Sequence, residues 1–481
     1  MLKGIFRNPI FSYIFSRYLT YGVQFVNSVL IAVLLGPLYL GIWGFISLIV
    51  QYLAQTNFGI SHSTNAIIST KKDNHRYISI IVNNSFSMTA VLCGLVLIVF
   101  CLNYVTSWNI GAKYDFLHYS WFVALIAITA YYNSLYSTIF RVYGKLKEIA
   151  FNQSIFPVLT VLLLPFFKGE LLLKMMVWVY LISNVVSLLI YVVNSPFRIK
   201  MSLSLKVWKI IQRKGLYLFI YNSCFYLIII STRTFISTYY TIEDFGVFTF
   251  AFSLGNVILL MFDSFSFVIF PKVLNKFYNA SLLESASFLD KIRKSYITGT
   301  HFIVHIVILV FPCFLYMFPS YSSALGCFRL IVLTLALLTN SFGYQGLLIA
   351  KNREKLLGIV SLCCLGTNVA ISLFLILAVK VKYQDVILAT TLSYLSYSIS
   401  ISYFGNRLLG RSSSLLKSIS TILPVNLLIP FLISLTFTLF ELDNLYFFIP
   451  LLLFIILNYD RYMDMKNSIL SLANNPKLTE I

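Results

Sequence analysis

Four charged side chains lie inside apolar stretches of this 481-residue sequence: Arg17, Arg233, Arg329 and Asp263. A charged side chain in lipid hydrocarbon costs several kcal/mol, so it usually faces a wet cavity or an opposite charge. Arginine stays ionised, and its planar fork of donors fits phosphate groups. Three arginines against one aspartate therefore indicate the binding of an anionic group rather than of a cation.

The depth of each charge along its predicted helix suggests a separate role. At about 1.5 Å rise per residue, Arg233 lies roughly 26 Å from the cytoplasmic end of its helix, whereas Asp263 and Arg17 lie only about 10 Å and 9 Å from theirs. We predict that Arg233 binds an anionic headgroup in a cavity. Arg17 and Asp263 would form a gate that closes the cytoplasmic side of the cavity when the cavity opens outward. Asp263 could also couple the transport cycle to an ion. In the alternative, Arg17 extends to the membrane surface and Asp263 joins a local polar cluster. Arg329, near the opposite end of its helix, is a further binding candidate that could also extend to the surface.

Histidines offer a second, weaker set of candidates. His301 and His305 are four residues apart and therefore share a helix face. The spacing suits a metal, but no carboxylate or third ligand accompanies them, which favours a packing role. With His118 they are weaker candidates than Asp263 for ion coupling. The sequence carries no signature of a hydrolase, kinase, P-loop or zinc protein, so we expect no catalytic residue, metal or cofactor.

Amides and aromatic rings also recur inside the apolar stretches. Such groups suit sugar rings, and we predict that Asn57 and Asn222, like Arg17, contribute to substrate binding. The alternative is helix–helix hydrogen bonding and interfacial aromatic belts. The other members of this set are Asn27, Asn83, Asn133, Asn256, Asn340, Asn368, Tyr131, Tyr132, Tyr239 and Tyr240.

The elements that must position these residues are membrane helices. Hydrophobic residues make up 59% of the chain and charged residues 11%, which excludes an ordinary soluble domain. A spanning helix needs about 20 apolar residues, and the sequence contains fourteen such segments. Numbered in chain order, they are 11–35, 38–60, 78–103, 117–139, 150–167, 172–193, 216–239, 246–270, 296–318, 325–349, 356–379, 386–404, 419–440 and 445–458. If they alternate, only Lys113, Lys168, Lys174, Lys380 and Lys382 of the 36 basic residues lie on one side. Arg17, Arg233 and Arg329 lie within the segments, and the remaining 28 basic residues lie on the opposite side. Because cytoplasmic loops retain Lys and Arg, that side is predicted to be cytoplasmic, and both termini lie there. The net charge of +20 is thus a topology signal facing lipid headgroups, not a nucleic-acid site.

Two short sequence patterns each occur twice, 205 and 206 residues apart, which predicts an internal repeat. Gly41 with Trp43 recurs as Gly246 with Phe248, and the basic turn GKLKE after segment 4 is matched by KNRE after segment 10. A duplicated six-helix unit would give two lobes related by an axis along the membrane normal, with a cavity between them. Chance recurrence of glycines and basic turns is the alternative.

The predicted organisation follows from that repeat. Residues 1–193 form an N-lobe of six helices, 194–215 an amphipathic cytoplasmic linker, and 216–405 a C-lobe of six helices. Residues 406–481 add two helices and a cytoplasmic tail. The stretches 194–215 and 271–295 are the longest polar ones, and both are expected to be cytoplasmic. Each mixes apolar and basic residues, as an interfacial amphipathic helix would.

The run LLGPLYLGIWGFISLIVQYLAQTNFGI at 34–60 resembles the multidrug/oligosaccharidyl-lipid/polysaccharide (MOP) flippase superfamily. The second half continues the likeness with KGLYLFIYN, STRTFI, EDFGVFTFA and FPKVLNKFY. Within the superfamily the chain looks most like the Wzx-type flippases of O-antigen and capsule repeat units. The likeness spreads loosely over residues 1–405. It departs from the family at Thr232, where many relatives carry Asp, and in having fourteen segments where many have twelve.

This resemblance implies a function in the bacterial inner membrane. The substrate would be an oligosaccharide on undecaprenyl or another polyprenyl diphosphate, moved from the cytoplasmic to the outer face by alternating access. Arg233 occupies the matched position in segment 7 and is the first candidate for the diphosphate. Partners implied are membrane lipids and, in lipopolysaccharide or capsule biosynthesis, the polysaccharide polymerase and chain-length machinery.

Several alternatives stay open at this point. A drug or cation antiporter of the same superfamily would be expected to carry acidic residues in its cavity. A lipid II flippase is closer in chemistry. From another class, a polysaccharide polymerase or O-antigen ligase would resemble its relatives in having a large translocated loop, which this sequence lacks. A membrane scaffold is the weakest alternative, because it would not need arginines within the membrane.

Overall fold

The part of the chain that the structure describes is mostly helical and contains no β-strand. This computed structural model describes residues 9–70, 74–106, 111–411, 414–461 and 463, and gives only the backbone for 9–17, 66, 69–70, 214–215 and 261–272. The first eight helices are α1 Pro9–Gln55, α2 Ile60–Thr70, α3 His75–Thr106, α4 Phe116–Val142, α5 Leu146–Leu163, α6 Gly169–Val193, α7 Leu205–Tyr239 and α8 Ile242–Asn279. The others are α9 Leu282–Leu315, α10 Ala324–Thr339, α11 Tyr344–Ala350, α12 Glu354–Phe374, α13 Ile387–Leu408, α14 Leu415–Ile422, α15 Val425–Leu439 and α16 Phe448–Leu457. The predicted all-α polytopic class is confirmed.

Helix α1 contains two of the predicted segments. Gly36 interrupts it with a φ of 72°, a conformation that glycine adopts without steric cost, and Pro37 starts the next helical run. The apolar part, Tyr18–Gln55, has 38 residues and would extend about 57 Å if straight, against a hydrocarbon core of about 30 Å. The break at Gly36 therefore separates one crossing from the next.

The described helices give a multi-pass membrane protein. Eleven helical spans are long and apolar enough to cross a membrane, with α1 counted once and α10 joined with α11, and the count rises to twelve if the bent pair α14–α15 is one span. These two helices meet at 74°, and Pro424 precedes α15. Helix α16 belongs to a shorter apolar helix, Asn444–Leu457. The number fourteen stays a prediction.

Two helices break at similar sequences, which the predicted continuous spans did not include. TNFG at 56–59 separates α1 from α2, and TNSFG at 339–343 separates α10 from α11. Gly59 and Gly343 have φ values of 75° and 86°, which favour glycine. In the first break the Gly59 N–H donates to Asn57 Oδ1 at 2.9 Å, so Asn57 shapes the turn.

The polar stretch 271–295, whose mixture of apolar and basic residues is typical of an amphipathic helix, is almost entirely helical. Helix α8 continues to Asn279, and α9 begins at Leu282 behind a capping box formed by Ser281 and Glu284. Arg293, one of the basic residues assigned to the cytoplasmic side, lies within α9 and is only 5% exposed.

The predicted amphipathic linker 194–215 has two parts. Residues 205–215 form the first three turns of α7 rather than a separate interfacial helix. The preceding residues are extended and docked on α3. Their hydrogen bonds, 2.8–3.0 Å long, run from the backbone N–H groups of Lys200, Ser202 and Ser204 to Asn83 Oδ1, Ser87 Oγ and Asn84 Oδ1. Every second N–H is used, as expected for an extended strand over one face.

The chain divides into two compact units. The first comprises Met1–Ser223 and Ile236–Phe250, and the second comprises Cys224–Phe235 and Ala251–Ile481. Both helices α7 and α8 thus contribute to each unit. The lobe limits predicted at 193 and 216 stay predictions.

Within the first unit, the turn between α7 and α8 is held by the loop that precedes α4. The Tyr114 hydroxyl donates to the Ser237 carbonyl at 2.7 Å. The Lys113 ammonium donates to the same carbonyl at 3.2 Å and to the carbonyl of Tyr240. Partial burial lowers the pKa of Lys113, and the carboxylates of Asp244 and Glu243 oppose that shift.

Glycines allow α1 and α8 to approach closely in this unit. A Cβ added at Gly246 would collide with the Pro37 carbonyl, and one added at Gly41 would collide with the Ile242 carbonyl. We expect Gly246→Ala to destabilise the protein by about 1–3 kcal/mol, because the obstructing atoms belong to backbone. Thermal unfolding in detergent micelles measures this effect.

Gly94 supplies the matched control for that substitution. It lies in α3, and no atom lies within 4 Å of an added Cβ. Gly94→Ala should therefore unfold at or slightly above the wild-type temperature. Equal unfolding temperatures for the two alanine variants would contradict the close contact at Gly246.

Candidate functional site

Arg233 is the most deeply buried of those predicted binding residues whose side chains the structure describes. It lies in the second unit on α7 and is 1% exposed. Its guanidinium carbon lies 4.8 Å from the centre of the Phe252 ring on α8, within cation–π distance. The structure therefore places a large, permanently charged side chain inside a spanning helix of this unit.

Thr232, beside Arg233, belongs to a neutral hydrogen-bond network. The Thr232 hydroxyl bonds to that of Thr390 on α13. Thr390 in turn donates to Asn368 Oδ1 at 3.3 Å, and the Asn368 amide donates to Ser231 Oγ at 2.7 Å and to the Ile228 carbonyl at 3.0 Å. The network ties α7 to α12 and α13. The position where many relatives carry an acid thus holds a hydroxyl with a defined structural partner.

Arg329 is held by a different set of residues. It lies on α10 with 3% exposure, and its Nη2 donates to Asn444 Oδ1 at 2.6 Å. Its guanidinium carbon lies 3.7 Å from the centre of the Phe447 ring. Arg329 therefore anchors the segment between α15 and α16 rather than extending to the surface, and its predicted contact with substrate stays a prediction.

The other predicted site residues are placed separately. The side chains of Arg17 and Asp263 lie outside the described part of the chain, so their pairing stays a prediction. Asn57 forms the turn between α1 and α2, and Asn222 is half-buried on the part of α7 that belongs to the first unit. Substrate contact by either residue also stays a prediction.

Several amides of the first unit hold helices together. Asn27 Nδ2 donates to the Pro157 carbonyl at 2.7 Å, and Asn133 Nδ2 donates to the Asn184 carbonyl at 2.9 Å. These contacts favour the helix–helix interpretation for Asn27 and Asn133.

A polar centre around Arg293 was not predicted from the sequence. Its Nη1 donates to the carbonyls of Asn340 and Phe342 at 2.6 and 3.0 Å, and its Nη2 donates to the Thr421 carbonyl at 3.3 Å. The guanidinium also stacks on Tyr344, 4.5 Å from the ring centre. Arg293 thus satisfies carbonyls left free where α10 breaks and α14 ends. The TNSFG sequence could have indicated the break, but nothing in the sequence indicated the cation that stabilises it.

The second unit also contains the two histidines. His301 and His305 are 0% and 2% exposed. His301 Nε2 lies 3.1 Å from Asn340 Oδ1, and His305 Nδ1 lies 3.2 Å from Ser434 Oγ. Among the described residues, no group of three His, Cys, Asp or Glu side chains is placed to hold a metal ion.

Known structures share this fold. A lipid II flippase, MurJ, in an inward closed conformation is 13% identical, with 95% of this chain and 99% of that chain covered and a TM-score of 0.70. An inward-facing multidrug resistance transporter of the MATE family and MOP superfamily is 16% identical, with 82% and 94% covered and a TM-score of 0.63. A MOP superfamily transporter from Pyrococcus furiosus, described as having a binding pocket of reverse polarity, is 14% identical, with 84% and 96% covered and a TM-score of 0.58.

Sequence comparison places the chain in a family. No curated protein matches the sequence significantly. The family model described as polysaccharide biosynthesis protein matches residues 6–275, more than half of the 481 residues. The chain therefore belongs to the polysaccharide biosynthesis protein family, and it shares its fold with transporters of the MOP superfamily.

Proposed function

We propose that this protein flips polyprenyl-diphosphate-linked oligosaccharide repeat units, precursors of O-antigen or capsule, across the bacterial inner membrane. The observation that most directly supports this proposal is the full burial of Arg233 within a spanning helix of a member of the polysaccharide biosynthesis protein family. The substrate would enter from the cytoplasmic face and leave at the outer face. Both chain termini would be cytoplasmic.

The chemistry of the substrate supports a role for Arg233. A diphosphate is anionic, and a guanidinium can bind two of its oxygens at once. In a low-dielectric environment such a contact is stronger than in water. The polyprenyl tail can stay in lipid while the sugars and diphosphate follow a polar route, which suits alternating access in a two-lobed transporter.

The distribution of acidic residues argues against a cation antiporter. In the described spans every carboxylate lies within the first nine residues, as Glu148, Glu170, Asp244, Asp290 and Asp385 do. The network beside Arg233 is neutral. A cavity for cationic drugs would need acids at depth, where only Asp263 is available in the sequence. The proposed gate between Arg17 and Asp263 would lie on the cytoplasmic side.

A lipid II flippase is the second candidate within transport. The fold of the lipid II flippase covers 95% of this chain, which keeps that substrate class open. Both substrates are diphosphate-linked, so Arg233 suits either. The family match to polysaccharide biosynthesis favours the repeat unit. Polymerase and chain-length proteins would then act on the product.

Deletion of the gene tests the proposal against an enzymatic role. We expect single repeat units on polyprenyl diphosphate to accumulate facing the cytoplasm, with loss of surface polysaccharide. A polymerase or ligase would instead leave unextended units on the outer surface. Lipid extraction combined with a membrane-impermeant sugar-oxidising label separates the two. Accumulation of lipid II in place of repeat units would favour the second candidate.

A further inference from the structure

An extended segment between α6 and α7 alternates polar and apolar side chains. We call residues 198–205, with the sequence RIKMSLSL, the strap. Successive side chains of an extended strand point to opposite faces, so the odd-numbered residues share one face and the even-numbered residues share the other. The odd-numbered face carries Ile199, Met201, Leu203 and Leu205, and the even-numbered face carries Arg198, Lys200, Ser202 and Ser204. The strap is therefore amphipathic with the period of a strand, whereas we predicted an amphipathic helix for this stretch.

Packing fixes the strap at both ends and leaves its apolar face open. At one end, Phe197 and Ile199 pack against a buried cluster formed mainly by α3 and α4. At the other end, Val207 and Trp208 pack against a second cluster, formed by α2, α3 and α7. Between these anchors the apolar side chains are uncovered, with exposed fractions of 70% for Met201, 71% for Leu203 and 77% for Leu205. An exposed apolar patch on a segment that is fixed in place marks a contact surface.

The hydrogen bonds of the strap relate it to the membrane through α3. Helix α3 has 32 residues and is about 48 Å long, whereas the hydrocarbon core of a bilayer is about 30 Å thick. The stretch 87–106, which is long enough to cross that core, is mostly apolar, and the polar Asn83 and Asn84 precede it. Because the strap bonds to Asn83, Asn84 and Ser87, we expect it to lie near the level of the lipid headgroups.

The strap crosses α3 nearly at right angles. The N–H groups of Lys200 and Ser204 are about 13 Å apart along an extended strand, yet they bond to Asn83 and Asn84, which differ by about 1.5 Å in position along α3. The hydrogen bonds of a strand are perpendicular to its side chains, so with α3 across the bilayer the two faces of the strap point along the membrane normal. The apolar face can then meet lipid while the polar face meets water.

The cations of this region are left without acidic partners. The sequence contains no Asp or Glu between Glu170 and Glu243. The exposed cations of the strap and of the first two turns of α7 are Arg198, Lys200, Lys206 and Lys209. None of them forms an ion pair with a described residue. An anionic surface would offset this charge, and each cation close to a membrane strengthens the binding of anionic lipid.

We propose that the strap and the start of α7 form a binding site for anionic phospholipids at the membrane surface. Met201, Leu203 and Leu205 enter the boundary between headgroups and acyl chains, and the neighbouring Lys and Arg side chains are long enough to reach headgroup phosphates. A second copy of the chain could also cover an apolar face. The level of the strap on α3 and its unpaired positive charge favour lipid. The site does not depend on which substrate the protein moves.

Fluorescence quenching of the full-length protein in lipid nanodiscs tests the contact with lipid. The exposed cysteines Cys101, Cys313 and Cys363 are first changed to serine, and a fluorophore is attached at Leu203→Cys. The quenchers are a nitroxide on the acyl chain of phosphatidylglycerol, the same nitroxide on phosphatidylcholine, and acrylamide in the water. We expect both lipids to quench the fluorophore at residue 203, and phosphatidylglycerol to quench it more strongly. A fluorophore at Lys200→Cys, on the opposite face, should respond mainly to acrylamide.

Two other outcomes of this measurement would overturn the proposal. Quenching at residue 203 by acrylamide alone would show that the apolar face of the strap lies in water. Protection from all three quenchers would show that protein covers the face, and a change in oligomeric state on replacing Leu203 would identify a second copy as the cover.

Removal of charge tests the preference for anionic lipid. The substitutions Arg198→Gln, Lys200→Gln and Lys206→Gln are combined in the protein labelled at Leu203→Cys. A cation at a membrane surface strengthens the binding of anionic lipid by about fivefold, so the three substitutions should abolish the excess quenching by phosphatidylglycerol. Quenching by phosphatidylcholine should remain, because the apolar face is unchanged.

Three exposed cations of the second unit supply the matched control. Lys291→Gln, Arg353→Gln and Lys355→Gln remove the same net charge, and they should leave the excess quenching at residue 203 intact. An equal loss in the two triple variants would show that net charge, and not the strap, attracts anionic lipid. Equal quenching by the two lipids before any cation is removed would likewise overturn the proposed selectivity.

Discussion

We expect the Arg293→Gln variant to lose about 3–5 kcal/mol of folding free energy, because three carbonyls at two helix ends lose a charged donor. The carbonyl of Asn340 is buried, and those of Phe342 and Thr421 are partly buried. Water cannot readily replace the guanidinium there. The unfolding temperature in detergent micelles should fall markedly, and the yield of folded protein with it.

Arg411 offers a matched control in the same unit. Its Nη1 and Nη2 bind the two oxygens of Asp290 at 3.0 and 2.6 Å, but the side chains are 35% and 56% exposed. An exposed pair contributes about 0–1 kcal/mol, so Arg411→Gln should unfold close to the wild-type temperature. Similar losses in the two variants would show that Arg293 is not the main support of the break.

The helical class and most spans could be predicted because the bilayer fixes the length of apolar runs. The segment predicted at 117–139 is α4, Phe116–Val142, and the one at 172–193 is α6, Gly169–Val193. The apolar pattern alone is enough to locate these two helices along the chain. It does not decide where polar residues continue a helix beyond the membrane, so it could not show that the ends of α8 and α9 form the stretch 271–295.

The breaks and their supports depend on contacts distant in sequence. Gly343 signals a possible turn, but Arg293 lies 47 residues away from Asn340 along the chain. Periodicity cannot show that this cation, rather than water, satisfies the freed carbonyls. The same limit applies to Arg329, whose partner Asn444 lies 115 residues away.

The candidate site could be predicted only in part. That Arg233 must be sheltered follows from its place in an apolar segment. Its neighbour Phe252 and the network of Thr232, Asn368 and Thr390 depend on how α7, α8, α12 and α13 pack. A single sequence does not contain that information.

We expect Arg233→Gln to reduce translocation of the lipid-linked oligosaccharide by about ten- to 150-fold. This corresponds to the roughly 1.5–3 kcal/mol that a hydrogen bond to a charged group contributes. Arg233→Lys keeps the charge but loses the planar fork, so it should retain intermediate activity. Rescue of surface polysaccharide in the deletion strain and initial rates in proteoliposomes measure both, at matched amounts of protein in the membrane.

The variant Lys174→Gln, which removes an exposed cation, is the control for the loss of one positive charge. Lys174 is exposed on α6, and its Nζ lies 2.6 Å from Oε1 of Glu170, which precedes it by one helical turn. Lys174→Gln should translocate at the wild-type rate, since it changes the net charge without changing the buried site. Full activity of Arg233→Gln would remove Arg233 from the substrate route. Because glutamine still donates hydrogen bonds, a severe loss in that variant would show that the charge itself is required, as an anionic diphosphate demands.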